Sequence, residues 1–140
     1  MKRKIKFRGF SIHENDWVYG YFGGKINTYT AEDEPFIIQP TYNAATDRSY
    51  FTDIAIKKDT EGQYTGLKDR DGKEIYEGDI VIAKGEVNIL YVVKFGQYMY
   101  SDACFFLEEI SDTNPPLRFF SRGIDQTEII GNIHQNPELL

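Results

Sequence analysis

The chain has 140 residues, and its 16 Lys and Arg residues against 22 Asp and Glu residues give a formal net charge of −6. With 41% hydrophobic and 27% charged residues, it has the composition of a folded globular protein rather than a disordered or fibrous one. A single Cys excludes a disulfide framework and a zinc site built from cysteines. The lack of a long apolar run predicts no membrane span, and the basic start leads into no apolar stretch, so we expect no secretory signal and a cytoplasmic protein.

The first half of the chain is predicted to form strands. β-Branched and aromatic residues far outnumber Ala, Leu and Met, and branching at Cβ suits a pleated sheet better than a helix. A polar Asn15-Asp16 turn predicts a hairpin, and Pro35 and Pro40 are expected to bound a short strand. The predicted strands are Lys4–Arg8, Phe10–Ile12, Trp17–Phe22, Phe36–Ile38 and Asp53–Lys57.

The second half has clearer turns between its predicted strands. Asp71-Gly72 is a strong signal for a two-residue type I′ hairpin, which needs positive φ at both residues. Gly131 within the last strand predicts a bulge or a close backbone approach. Ala103–Ile110 fits a strand slightly better than a short helix. The predicted strands are Tyr64–Asp69, Lys73–Tyr76, Asp79–Lys84, Val87–Phe95, Tyr98–Ile110, Leu117–Phe120 and Glu128–His134.

Three blocks of the sequence resemble the YopX protein family, a group of small proteins encoded mostly by bacteriophages and prophages. Residues 5–10 read IKFRGF, residues 64–81 read YTGLKDRDGKEIYEGDIV, and residues 128–140 read EIIGNIHQNPELL. The strand pattern predicts a mainly β protein in two parts, a β-rich N-terminal extension of residues 1–60 packed against a compact run of short strands in residues 61–140. The resemblance implies that this second part is an SH3-like barrel. It also implies a host bacterial cytoplasm and brings no catalytic residues.

The middle block also has a physical interpretation at its turns. Asp71 and Gly72 are expected to close the hairpin, and Gly78 to permit a turn that is closed to residues with a Cβ atom. Asp79 is expected to accept backbone N–H bonds at the corner, with Ile80 or Val81 pointing inward.

The basic start is the clearest electrostatic feature. Residues 1–8 hold five cations and no acid, which leaves 11 cations against 22 acids in the remainder. Lys4, Lys6 and Arg8 on one strand face are candidate phosphate contacts, and Tyr98 and Tyr100 are candidate stacking residues for a single-stranded nucleic acid. The alternative is a solvated face that protects an edge strand, and the acidic remainder disfavours long-range attraction of nucleic acid.

A second alternative concerns the aromatic residues of the second half. They are either a stacking platform or the core of a small barrel, and core is favoured for the Phe residues. The residues concerned are Tyr91, Phe95, Tyr98, Tyr100, Phe105 and Phe106.

Residues suited to metal binding or catalysis are sparse. His13, Cys104 and His134 show no paired spacing. A calcium loop with Gly72 at its sixth position would place Leu67 first and Gly78 twelfth, where carboxylates are required, so the match fails. We therefore predict no metal, no cofactor and no enzyme, since no nucleophile-base motif or phosphate loop occurs.

These observations lead to one main hypothesis and one alternative. The first is a non-catalytic phage or prophage accessory protein that acts through a protein partner or as a homo-oligomer, without a membrane. The alternative is a module that binds single-stranded nucleic acid. Two leucines at the end of the chain, Leu139 and Leu140, suggest docking onto the protein body or a second subunit.

Overall fold

The structure, a computed structural model, describes residues 4–97, 103–120 and 123–140. Within these ranges the protein is mainly β, as predicted, with two single-turn 3₁₀ helices at Ile124–Gln126 and Pro137–Leu139. No helix in this part of the chain has the length and apolar character to cross a membrane. The strands are β1 (Phe7–Ser11), β2 (Asp16–Ile26), β3 (Asp33–Asn43), β4 (Arg48–Ala55), β5 (Gly62–Lys68), β6 (Glu74–Tyr76), β7 (Asp79–Ala83), β8 (Ile89–Gln97), β9 (Ala103–Glu109), β10 (Arg118–Phe120) and β11 (Glu128–Asn132).

The chain divides into two compact units, the first ending at Gln63 and the second beginning at Tyr64. In the first unit the strands pair antiparallel in the order β4-β3-β2-β1, and the first residues of β5 pair with β1. The predicted hairpin is confirmed, since Phe10 pairs with Trp17 across a turn in which Asn15 has a φ of 53°. The predicted strand Lys4–Arg8 is wrong at its start, because β1 begins only at Phe7.

The core of the first unit lies on one face of this meander. Val18, Ile37 and Ile56 are buried there, with Phe7 and Ile54 packed against them. Ser11 forms an antiparallel bridge to Ile56, which directly follows β4. Because side chains alternate along a strand, the residues between these core positions point to the opposite, outer face.

Strand β3 is longer than predicted and includes both prolines. Ile56 N donates to the Pro35 carbonyl, so Pro35 directs its backbone groups toward β4. Because this direction alternates along a strand, Pro40, an odd number of positions later, directs its backbone groups toward β2. The pairing of β3 with β2 ends at Ile38, before Pro40, so the missing N–H interrupts no ladder bond. The Gln39 side chain donates instead to the Tyr19 carbonyl of β2 at 2.9 Å.

In the second unit five strands pair antiparallel in the order β10-β9-β8-β7-β11. Residues 103–109 are strand, which decides against the helical alternative, while the first part of the predicted strand Tyr98–Ile110 lies outside the described residues. The two outer strands, β10 and β11, do not pair with each other in the described ranges, so this sheet is open and the predicted closed SH3-like barrel is not confirmed. The core of the second unit consists of Ile75, Val81, Val93, Leu107 and Ile124.

The hairpin between β5 and β6 forms, but its predicted turn type is wrong. Gly72 has a φ of +82°, whereas Asp71 is not among the residues with positive φ. Asp69 and Lys73 close the loop, and Gly72 N donates to the Asp69 carbonyl, which is a type I turn followed by a left-handed glycine. The Asp69 carboxylate supports this three-residue loop by accepting the Asp71 and Lys73 N–H groups.

Two other local predictions are confirmed. Gly78 has a φ of +85°, and the Asp79 carboxylate accepts the Tyr76 N–H at 2.8 Å while Ile80 and Val81 are fully buried. The register of β11 against β7 shifts between Ile129 and Gly131, which is the predicted bulge.

Candidate interaction surface

The three predicted phosphate contacts, Lys4, Lys6 and Arg8, do not form one exposed face. Lys4 and Lys6 precede β1, and Arg8 is only 6% exposed, with its guanidinium carbon 4.5 Å from the centre of the Trp17 ring. Arg8 is therefore a packed residue rather than a free phosphate contact. Tyr98 and Tyr100 lie outside the described residues.

The remaining aromatic candidates of the second half divide between core and surface. Phe106 is buried, and Tyr91 packs against the core of the second unit, as favoured by the core interpretation. Phe95 is 49% exposed, and its ring centre lies 5.0 Å from that of the half-buried Phe105. Among the residues that the structure describes, Phe95 and Phe105 form a pair at one end of the sheet.

The larger exposed aromatic surface lies on the outer face of the first unit. Tyr21 of β2, Ile38 of β3 and Asp53 of β4 are aligned in register across three strands, on the face opposite the buried Ile37. Two residues further along the strands, Pro40 pairs with Phe51. Tyr19, two positions before Tyr21 on β2, lies on the same face. We call these six residues the aromatic face: Tyr19, Tyr21, Ile38, Pro40, Phe51 and Asp53.

Strand alternation explains why these side chains are exposed. Tyr19, Tyr21 and Phe51 are 45%, 57% and 67% exposed, whereas Val18, on the other parity of β2, belongs to the core. The three rings together leave roughly 300–400 Å² of aromatic surface in water, taking about 200 Å² for each whole side chain. Contiguous apolar patches of this size on a folded protein often mark interaction sites.

Two of the cations on this outer face lie over aromatic rings. Arg8 stacks on Trp17, and Lys25 Nζ lies 5.8 Å from the centre of the Phe36 ring, which covers Gly23. The Asp53 carboxylate, by contrast, is exposed and forms no ion pair with any residue in the described ranges.

A second carboxylate lies near the end of β3. The Tyr42 hydroxyl donates to Asp47 at 2.6 Å, and this hydrogen bond, with a smaller contribution from burial, raises the pKa of Tyr42. The exposed charges beside the aromatic face are of both signs, because Lys57 and Lys58 line the same cleft as Asp53.

A cleft of about 510 Å³ opens at the other end of this face. Its floor is apolar, and the charged side chains around it are of both signs. The described lining contains no Ser, Thr, Cys or His side chain. Nor do the residues that the structure describes contain a group of three or more His, Cys, Asp or Glu side chains placed to hold a metal ion. The residues lining the cleft include Lys25, Asp33, Phe36, Asp53, Ala55 and Lys58.

Sequence reasoning placed the candidate platform in the second half and missed the aromatic face. The segment Trp17–Phe22 is apolar at both parities, so its pattern shows a strand without showing which side is exposed. Gly20 was the sequence feature that could have indicated which side of β2 is exposed. A Cβ atom there would lie 2.2 Å from the Ile38 carbonyl oxygen, so Gly20 marks the crowded side of β2 and leaves Tyr19 and Tyr21 on the open side.

A model of the family described as YopX protein matches residues 6–140. The chain belongs to the YopX family. This YopX-family chain is also similar to the crystal structure of protein EF1440 from Enterococcus faecalis, with a TM-score of 0.54 and 25% sequence identity over 99% of each chain. No curated protein matches the sequence.

The three YopX-like sequence blocks contain no residue of the aromatic face. The first coincides with the start of β1, the second with β5 to β7, and the third with β11 and the final 3₁₀ helix. The Asp69 carboxylate of the second block accepts the Ile129 N–H of the third at 3.1 Å. In this YopX-family chain the aromatic face comes from residues 19–53, between the first and second blocks.

Proposed function

We propose that this protein is a non-catalytic protein-interaction module of a phage or prophage, acting in the cytoplasm of the host bacterium through the aromatic face. The phage setting follows from what the YopX resemblance implies. The observation that supports an interaction role is the exposure of Tyr19, Tyr21 and Phe51 on one sheet face. Rigid aromatic side chains supply large contact area at low entropic cost, which is why they are enriched at protein interfaces.

Site-specific photo-crosslinking in the host bacterium tests this proposal. The photoreactive residue p-benzoylphenylalanine is placed at Tyr21, within the aromatic face, or at Tyr29, which is 97% exposed on a loop and serves as the matched control. We expect protein adducts from position 21 that are absent from position 29. Substitution of Phe51 by Ser should reduce these adducts, because it removes a neighbouring ring. Equal or absent adducts at the two positions would refute the interaction role of this face.

A further inference from the structure

We propose that strand β4 pairs antiparallel with β4 of a second copy of the chain, about a two-fold axis at Phe51. This inference goes beyond the proposed function, because it concerns an edge of the sheet rather than the aromatic face. It is carried by the unpaired backbone of β4, by the regularity of the strand and by the fit of its sequence to a second, antiparallel copy of itself.

The outward edge of β4 carries backbone groups that no described residue pairs with. In the six-stranded sheet β4 lies at one end and pairs only with β3. Because Ile56 N donates to the Pro35 carbonyl, the even-numbered residues of β4 direct their backbone groups toward β3 and the odd-numbered ones direct theirs outward. The N–H and C=O groups of Ser49, Phe51 and Asp53 therefore point away from the sheet, and no residue in the described ranges bonds to them.

Length and regularity distinguish β4 from the other edge strands of the described sheets. Strands β6 and β10 have three residues each, and β11 shifts register between Ile129 and Gly131. Short edge strands and bulges are devices that prevent edge-to-edge pairing. By contrast, β4 has eight residues, follows β3 without a register shift and contains no Pro, Gly or Lys. Such an edge is a template for one further strand.

The sequence of β4 fits itself when the two-fold axis passes through Phe51. The two Phe51 residues then lie opposite each other, and Ser49 of each copy lies opposite Asp53 of the other. All of these residues have outward backbone groups, and each such pair exchanges two N–H···O bonds. A cross-strand aromatic pair is stabilising, and each Ser hydroxyl can donate to a carboxylate.

The neighbouring registers lack these contacts. An axis at Tyr50 would place Asp47 opposite Asp53, and like charges directly opposite each other are destabilising. An axis at Thr52 would place Phe51 opposite a carboxylate. The axis at Phe51 uses its Ser–Asp contact twice, as a symmetric interface does, and this self-complementarity favours a second copy over an unrelated strand.

Pairing in this register joins the aromatic faces of the two copies. Opposed residues of antiparallel strands place their side chains on the same face, so both outer faces lie on one side of the extended sheet. They meet at the two Phe51 rings, and the dimer presents about twice the exposed aromatic area of one chain, less what these rings cover. The contact is a single strand edge and so falls below the standard interface size, which predicts a dimer that dissociates on dilution.

Sedimentation velocity from about 5 µM to about 1 mM protein tests the inference by exchanging two residues. The wild type should show a monomer–dimer equilibrium. Ser49→Asp places carboxylates opposite each other at both outer pairs and should raise the dissociation constant about tenfold. Adding Asp53→Ser restores one hydroxyl opposite one carboxylate and should return the constant to within about twofold of the wild type. Tyr29→Asp adds the same charge on a loop residue that is 97% exposed, and this control should change nothing.

A proline substitution tests the backbone pairing separately. Phe51→Pro removes an N–H that points away from β3, so the described sheet loses no hydrogen bond and the circular dichroism spectrum should match the wild type. It should abolish the dimer, because the pair at the axis loses both of its N–H donors. Phe51→Ser keeps those donors and should weaken the dimer less. If the proline variant does not fold, the exchange of Ser49 and Asp53 remains the deciding test.

Several results would overturn the inference. A monomer at every concentration up to about 1 mM would do so, as would a dimer insensitive to Ser49→Asp, or a loss that Asp53→Ser does not restore. Adducts of a photoreactive residue at Ser49 with another protein, and none with a second copy, would assign the edge to a different partner. If the chain is monomeric while position 21 still gives protein adducts in cells, the proposed function stands and only the dimer is wrong.

Discussion

Replacement of Asp69 by Asn should destabilise the second unit through one particular hydrogen bond. Asp69 is 5% exposed, and its Oδ1 accepts the N–H groups of Asp71 and Lys73 at 2.9 Å while its Oδ2 accepts that of Ile129 at 3.1 Å. An Asn side chain can keep its oxygen toward the hairpin, but it then presents an NH₂ group to the Ile129 N–H, so two donors face each other.

The expected decrease in the free energy of unfolding has two sources. Leaving one buried N–H without an acceptor costs about 1–3 kcal/mol, and the two remaining bonds lose their ionic character. We therefore expect Asp69→Asn to lower the free energy of unfolding by about 3 kcal/mol. With an m-value of about 2 kcal/mol/M, the urea midpoint should fall by about 1.5 M.

The pH dependence of this difference has a definite sign. Burial by itself raises the pKa of Asp69, but the N–H groups of Ile129, Lys73 and Asp71 and the charge of Lys73 outweigh it, so the pKa lies below its ordinary value. A carboxyl group whose pKa is lower in the folded state stabilises the fold above its unfolded pKa of about 3.9. That contribution disappears as the pH falls through the folded pKa, so wild type and Asp69→Asn should converge in acid.

Urea denaturation followed by circular dichroism, with amide hydrogen exchange read at Ile129, measures these effects. The matched control is Asp71→Asn, which removes the same charge from an exposed side chain in the same hairpin and should change stability by less than about 0.5 kcal/mol. Equal effects of the two substitutions, or unchanged exchange at Ile129, would refute the assigned role of the buried carboxylate.

Three further substitutions test local contacts that stabilise the strands and turns, each by urea denaturation. Gly20→Ala should cost about 2–3 kcal/mol, because its Cβ would lie 2.2 Å from the Ile38 carbonyl oxygen, whereas Gly24→Ala meets no atom within 4 Å and is the control. Gly72→Ala should cost about 1 kcal/mol because its φ is +82°, and an effect no larger than that of Gly24→Ala would contradict this. Glu108→Gln should lower the free energy of unfolding by about 1 kcal/mol at low salt and by less at high salt, because it breaks the ion pairs with Lys94 and Arg118. A loss that does not depend on salt would contradict the ionic origin.

Local sequence signals predicted those parts of the fold that depend on neighbouring residues. The turn at Asn15-Asp16, the left-handed Gly78 beside Asp79 and the bulge before Gly131 all follow from the conformational freedom or side-chain hydrogen bonding of those residues. The β class followed from composition and alternation for the same reason, since the preference of each residue acts locally.

Pairing between strands that are distant in sequence determined the features of the fold that local signals did not predict. Pro40 lies inside β3 because the ladder with β2 ends before it, and Arg8 is buried because β1 pairs with the strand that carries Trp17. The aromatic face likewise depends on which parity of β2 the core occupies. Alternation assigns residues to two faces, but when both faces are apolar only the packing of the strands decides which one is left in water.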